Sequence, residues 1–480
     1  MSRSHYVRGR LASRTSGLCP HSVVDPEAMA ACRRRQQRPP ISKLVARRHC
    51  RRLDAAVVIE GSRKRALSFI STIVAMAATV AAADAGGFAV REQSAYGQGS
   101  SFAGMAAPGD SISSMFWNPA AVTTVTSTTI EGDLSAIFPR SELDVDPTRS
   151  TLTAFGITGD GGNVGETGIV PAAYFATPIT DQLYFGVSVN APYGLTTTSD
   201  PPWVGMFSHL DAEVVSANVT PVFGFKINDM ISVAAGMQVE YVDVDLETAL
   251  LPTASPPRQR LEGDDVNAGF VAGVTFTPFD GTTIGIGYRS KVDHALGGSQ
   301  TFEIPVVTQI GTIPAGSYPI SADITLPETI SVGVRQRIND AFTVMAGMEW
   351  ANWSRIGTVS FAGSPAGTSL TLDFDDGWFF SLGGEYKYNP NWTFRAGLGY
   401  EIAPTTDEHR SMRLPDADRV WASIGASYNW NERLSIDAGY SHLFVDDGPV
   451  DETTAGVRYA GTAEGRVDII SLGVRYKFGG

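Results

Sequence analysis

The sequence predicts an all-β fold, a transmembrane antiparallel β-barrel of about 14 strands with a small hatch, or plug, at its N-terminal end. Three observations lead there. Six tight turns, at Thr180-Asp181, Asn228-Asp229, 278–281, Asn339-Asp340, Asn389-Pro390-Asn391 and 429–432, are each separated from the next by two strand-length stretches and a longer polar loop. Within those stretches, large apolar or aromatic residues alternate with Gly, Ser, Thr or charge, the period of two that a wall between lipid and lumen demands. An export signal precedes the first stretch. Short turns lie on the periplasmic side of such barrels, so both chain ends fall there and the strand number is even.

The elements follow in order. Residues 1–62 read as a basic extension, far longer than an export signal normally carries, so translation is expected to begin later, near Val57 or Val58. Residues 63–85 read as a signal peptide: Arg63-Lys64-Arg65 is a basic start, an apolar small-residue stretch follows, and Ala83-Asp84-Ala85 fits signal-peptidase cleavage before Gly86. Ser68, Ser71, Thr72 and Thr79 dilute the stretch too much for a lone membrane helix. Cys19, Cys32 and Cys50 all lie ahead of it, so the exported part has no disulfide, and their spacing fits no metal site. Residues 1–85 hold 16 Lys and Arg against 5 Asp and Glu, which leaves 21 basic and 45 acidic residues, a net charge of −24, for 86–480. Nucleic acid is excluded as a partner by that balance.

Residues 86–125 show no sustained period and are too few and too small-sided to build a core, which suits a plug inside a wide barrel. Residues 126–480 supply the wall. Leu183, Phe185, Val187 and Val189 are expected outward against Tyr184, Gly186 and Ser188. Trp392, Phe394, Ala396, Leu398 and Tyr400 are expected outward against Thr393, Arg395, Gly397 and Gly399. Tyr241, Trp350, Tyr400 and Tyr428 at strand ends suit interfacial girdles, which a soluble β-sandwich would not need. The last stretch ends in the aromatic Phe478, and this resembles the C-terminal signal read by the barrel-assembly machinery.

Chemistry is sparse. Gly-x-Ser-x-Gly is absent after residue 85, Ser441 and His442 are strand neighbours that face opposite ways, and no His, Cys or carboxylate group has metal-ligand spacing. Catalysis, as in a barrel lipase, is not expected, nor is any cofactor or metal. Cations expected to face the lumen are Lys226, Arg289, Lys291, Arg335, Arg395, Arg419 and Arg475, beside Glu240, Asp293, Glu349 and Asp437. A desolvated carboxylate ligand needs such a cation, although pairing across strands is the commoner use.

Several blocks, taken in order, resemble the FadL family of outer-membrane transporters for long-chain fatty acids and other hydrophobic compounds. They are Gly87-Phe88, Gly97-Gln98-Gly99, Asn118-Pro119-Ala120 after Trp117, 190–195, Trp203-Val204-Gly205, 287–292, Leu326-Pro327-Glu328, Glu349-Trp350 with Asn352-Trp353-Ser354, and Leu414-Pro415-Asp416 with Asp418-Arg419. The resemblance implies that Gly87, Phe88, Asn118, Pro119 and Ala120 belong to the hatch. It implies a monomer among outer-membrane lipid and lipopolysaccharide that captures a hydrophobic small molecule at the outer loops, holds it in an apolar pocket and releases it sideways at a kinked third strand. Asn190, Pro192 and Gly194 are the candidates for that kink, because Pro breaks the ladder and Gly permits a bend. Trp203, Met206 and Phe207, in an apolar outer loop, are the candidates for capture. Arg289, Lys291, Arg335, Arg395 and Arg419 are the candidates for holding a carboxylate. A hydrophilic porin is the alternative, and it would need an unobstructed lumen.

Overall fold

Six hairpins close on the six tight turns, and the ladder between the first and last strands shuts the cylinder. A computed structural model describes residues 86–308 and 311–479; the basic extension, the signal peptide and the three cysteines lie outside the described residues. The barrel is antiparallel with 14 strands. Strand one is Thr129–Val145, two Gly168–Pro178, three Leu183–Asn190 with Gly194–Thr198, four Asp211–Lys226, five Ile231–Ala249 and six Arg258–Phe279. Strand seven is Thr282–Arg289 with Val292–Phe302, eight Gly316–Leu326 with Thr329–Arg337, nine Phe342–Ala351 and ten Gly377–Lys387. Eleven is Trp392–Ile402, twelve Arg419–Asn429, thirteen Leu434–Val445 with Gly448–Thr454, and fourteen Val457–Lys477. Strand one pairs with fourteen from Thr129↔Lys477 to Val145↔Gly461, so the sheet has no free edge.

Burial follows the expected alternation. In strand three, Tyr184, Gly186 and Ser188 are buried while Leu183, Phe185, Val187 and Val189 are more open. On strand eleven, Trp392, Phe394, Leu398 and Tyr400 are exposed while Arg395 is buried. Aromatic pairs mark both rims of the outer belt: Phe342 stacks on Tyr386 at 4.7 Å and Trp392 meets Tyr428 at 4.7 Å near the short turns, and Phe270 meets Tyr288 at 5.6 Å nearer the long loops. Strand six runs for 22 residues, about twice what a bilayer needs, so its outward Glu262 and Asp264 stand clear of the apolar belt.

Residues 86–125 pack against the inward faces of the strands. A helical turn, Ala95–Gln98, and two 3-10 segments, Ile112–Phe116 and Pro119–Thr124, give them their only regular structure among the described residues. Inward glycines make the approach possible. A Cβ on Gly285 would lie 1.7 Å from Ala106 O, and one on Gly287 would lie 1.8 Å from Trp117 O.

Candidate functional site

Asn118 explains the Asn-Pro-Ala triplet. It caps the 3-10 segment by accepting from Ala120 N at 3.0 Å, and Pro119 follows at the first position, where a missing N–H costs nothing. Its amide then donates to Ala106 O at 2.7 Å, Val274 O at 3.0 Å and Thr275 Oγ1 at 3.3 Å, which fastens the segment to strand six. Gly87 takes φ +68 and donates to Asp416 Oδ2 at 2.7 Å, and Gly86 N donates to Glu401 Oε1 at 3.0 Å. Phe88 meets Trp353 edge-on at 4.8 Å and Tyr193 at 6.0 Å.

Strand three is broken where Asn190, Pro192 and Gly194 stand. Its ladder with strand two runs from Pro178↔Tyr184 to Ala173↔Val189, and one isolated bridge, Gly165↔Thr197, keeps the same register above. Between them, residues 167–172 and 190–195 have no mutual ladder, a window about 20 Å tall at the strand rise. The backbone groups freed on strand three are taken up by the N-terminal segment. Val90 N donates to Pro192 O at 2.8 Å, Gly194 N to Phe88 O at 2.9 Å, and Gln93 Nε2 to Ala191 O at 2.7 Å. Towards strand four, Asn190↔Asn218 is followed by Gly194↔Val215, so three residues face two and the strand bends as a bulge does. Pro171, Ile169 and Val189 flank the window with apolar side chains.

Behind the window lies a cavity of about 60 Å³, lined by Val90, Arg91, Phe116, Trp117, Pro192, Tyr193, Arg289, Pro327, Trp353 and Phe379. That is far below the ~300–1,000 Å³ of ligand pockets. The N-terminal residues themselves fill the space. Arg91 pairs with Glu349 at 2.7 Å and Glu401 at 3.4 Å, and its guanidinium lies 3.9 Å from the Phe379 ring. Arg289 differs. It is buried over the Phe116 ring at 4.7 Å, donates to Gln238 Oε1 and to Phe116 O, and has no carboxylate within ion-pair distance among the described residues.

The other predicted cations are placed otherwise. Arg335 is held by Glu385 and Tyr96, Arg395 by Glu385 at 2.7 Å, and Arg419 by Asp416 of the preceding loop and by Glu401 of the neighbouring strand at 3.8 Å, so these three tie wall to wall or wall to N-terminal segment. Lys291 and Asp293, expected in the lumen, are exposed and pair with each other at 2.8 Å. Strand seven is interrupted after Arg289, and with Arg289 and Ser290 both buried in succession the inward parity changes beyond the break. Trp203 and Met206 also need correction, since both are fully buried. The outer loop folds onto a small core of its own with Leu143, Tyr459 and Met412, and Trp203 Nε1 donates to His209 O at 3.0 Å. Phe207 alone of the three lines the loop cavity of about 620 Å³, opposite Glu408, His409, Arg410 and Glu452. Arg91 and Trp353 also line the cavity behind the window; Trp353 belongs to one of the family-like blocks, and the sequence marked Arg91 only as a lone Arg after an apolar pair in a small-residue segment.

A closed 14-stranded antiparallel barrel with an apolar outer belt and aromatic rims defines an outer-membrane barrel protein. Comparison with known proteins gives the family. Residues 74–478 match the family described as outer membrane protein transport protein (OMPP1/FadL/TodX). A long-chain fatty acid transport protein of Escherichia coli O6:H1 is 28% identical over 454 residues, covering 87% of this chain and all of that one. The 47 kDa outer membrane protein of Pasteurella multocida is 27% identical over 440 residues, covering 85% and 99%. The crystal structure of a Pseudomonas aeruginosa FadL homologue superposes with a TM-score of 0.75 at 25% identity, covering 82% of this chain and all of that one. The Ralstonia pickettii toluene transporter TbuX shares the fold at a TM-score of 0.59 and 19% identity, with 81% of this chain and all of that one covered. The chain belongs to the OMPP1/FadL/TodX family of outer-membrane transporters of fatty acids and other hydrophobic compounds.

Proposed function

We propose that the protein admits long-chain fatty acids passively, capturing them in the outer-loop cavity, holding them at Arg289 and releasing them sideways between strands two and three. The observation that carries the choice of a carboxylate ligand is Arg289, a buried guanidinium beside an aromatic cavity with no carboxylate within ion-pair distance among the described residues. A desolvated cation of this kind is completed by a ligand carboxylate, which forms paired charge-assisted bonds. The naming of the relatives as fatty acid transport proteins supports the same reading.

The small cavity implies gating. Residues 86–90 occupy the space the acyl chain would take, so binding displaces the hatch end from Glu401, Asp416 and the strand-three edge, and this opens the window. A lateral exit keeps the chain out of water throughout. That matters because each methylene exposed to water costs about 0.8 kcal/mol. The test is uptake of labelled oleate, with toluene and a small sugar alongside, in an outer-membrane-bearing host lacking its own hydrophobic transporter. The reading expects a gain for oleate without faster sugar entry; faster sugar entry alone would make the protein a porin.

A further inference from the structure

The blocks 287–292, Leu326-Pro327-Glu328 and 349–354 meet on one line across strands seven, eight and nine, and the route just described uses little of it. Strands seven and eight break there together. Arg289 pairs with Thr329 below the line and Val292 with Leu326 above it, with Ser290-Lys291 opposite Pro327-Glu328 between them. Pro327 has no N–H to continue a ladder. Below the line, strand seven is zipped to strand six as far as Val271↔Arg289, and above it the ladder resumes only at Asp264↔Gly297. Residues 265–270 therefore face 290–296 across a seam about 20 Å long that regular pairing does not close.

One backbone bond, Ser290 N to Phe270 O at 2.9 Å, closes its lower end, and side chains bridge the rest. Phe270 N donates to Ser290 Oγ at 2.8 Å, Asn267 Nδ2 to Asp293 O at 2.5 Å and Ala295 N to Asp265 Oδ2 at 3.2 Å. The buried His294 ring lies between Asp265, 3.0 Å from Nδ1, and Glu240, 3.4 Å from Nε2. The outer mouth starts at the Phe270 and Tyr288 pair of the aromatic rim, with exposed Lys291 just above, which sets it at the headgroup layer. The inner end is Gln238, whose amide donates to Ser290 O at 2.8 Å and whose oxygen accepts from Arg289.

We infer that this seam is a second side port, through which single-chain amphiphiles with an anionic head enter from the outer-leaflet headgroup layer. The head follows the polar seam from Lys291 to Arg289 while the chain stays against the apolar outer wall. The hinge line at Ser290 and Pro327 lets the outer halves of strands seven and eight swing together, and the bridge through His294 holds the seam shut at rest. The cargo rests on the transport reading above; the opening does not.

The test is a disulfide across the seam in the full chain. Val266 and Ala295 are both exposed, and the ladder that ends at Asp264↔Gly297 would bring them opposite each other. With Val266→Cys and Ala295→Cys together, oxidation is expected to more than halve oleate uptake and reductant to restore it, while each single variant keeps the unaltered rate in both conditions. Unchanged uptake at complete cross-linking, checked by mass spectrometry, would overturn the port. A second arm needs no transport. Val242, buried and opposite Asp265 in strand five, becomes a probe as Val242→Cys, and adding Asp265→Ala should speed its labelling by a bilayer-dissolved maleimide. An unchanged labelling rate would count against the latch, whatever the uptake. No oleate uptake by the unaltered chain would sink the transport reading instead, leaving the labelling arm to decide the seam.

Discussion

Two interruptions of the barrel wall, of nearly equal length, are closed by different means. Between strands two and three, the freed backbone groups of strand three are satisfied by one continuous piece of chain, the backbone of residues 88–90 together with the Gln93 side chain. Between strands six and seven, one backbone bond from Ser290 N to Phe270 O holds the lower end and single side chains on short tethers close the rest, with Ser290, Asn267, Asp265 and His294 each making one or two contacts. A backbone-filled gap opens all at once when its filler moves, whereas a side-chain-bridged gap loosens contact by contact. The two are also joined, since Tyr193 on the bent strand three donates to Pro327 O on the strand-eight hinge at 3.4 Å.

The largest expected effect comes from Asn118→Ala. It removes a cap and leaves Ala106 O without its amide donor, which should cost about 3 kcal/mol of local fixing. Hydrogen exchange at residues 106–124 should quicken sharply, with faster exchange at 88–90 and none at 293–296; equal quickening at both gaps would erase the distinction. Next is Arg289→Gln, which should lower oleate uptake about tenfold, the ~1.4 kcal/mol of one lost charge-assisted bond, and leave toluene uptake unchanged. Equal loss of both ligands would mean the guanidinium shapes the pocket rather than binding an anion.

Asp265→Ala acts on the other gap. Losing its bonds to His294 and to Ala295 N should weaken the seam by about 1–2 kcal/mol, seen as faster exchange at Ala295 with residues 88–90 unaffected. The smallest effect belongs to the outer loop. His209 is buried, with neither ring nitrogen bonded among the described residues, and burial pushes its pKa down to about 3 from 6.5. The folded loop holds the ring neutral while an unfolded loop takes up a proton below 6.5, so loop stability falls as pH drops from 6.5 towards 3. His209→Phe should be within about 0.5 kcal/mol of the unaltered loop at pH 7, and should resist proteolysis better at pH 5. Equal cleavage of both at pH 5 would contradict the assignment.

Strand number, turn placement and the two faces of strands three and eleven were legible because a membrane wall enforces a strict period of two. The same rule misplaced Lys291 and Asp293, since it assumes an unbroken strand and a break at Ser290 changes the parity. The apolar loop was misread for a related reason. Composition shows that Trp203 and Met206 need cover, but not that Leu143, Met412 and Tyr459 supply it from three other loops and strands. Inward glycines could be counted from the sequence; that Gly285 and Gly287 make room for the backbone at Ala106 and Trp117 could not, because it depends on contacts far apart in the chain. Arg289 was one cation among several until geometry gave Arg335, Arg395 and Arg419 their carboxylates.

The most direct test of the account is to trap the ligand on its way out. A photoreactive oleate illuminated during uptake, followed by mapping of the labelled residues, should mark Arg289 and Trp353 in the interior and Pro171, Ala172 and Tyr193 at the window between strands two and three. Label in the interior with none at that window, and instead along the inner wall towards the short turns, would contradict lateral release and place the exit through the lumen.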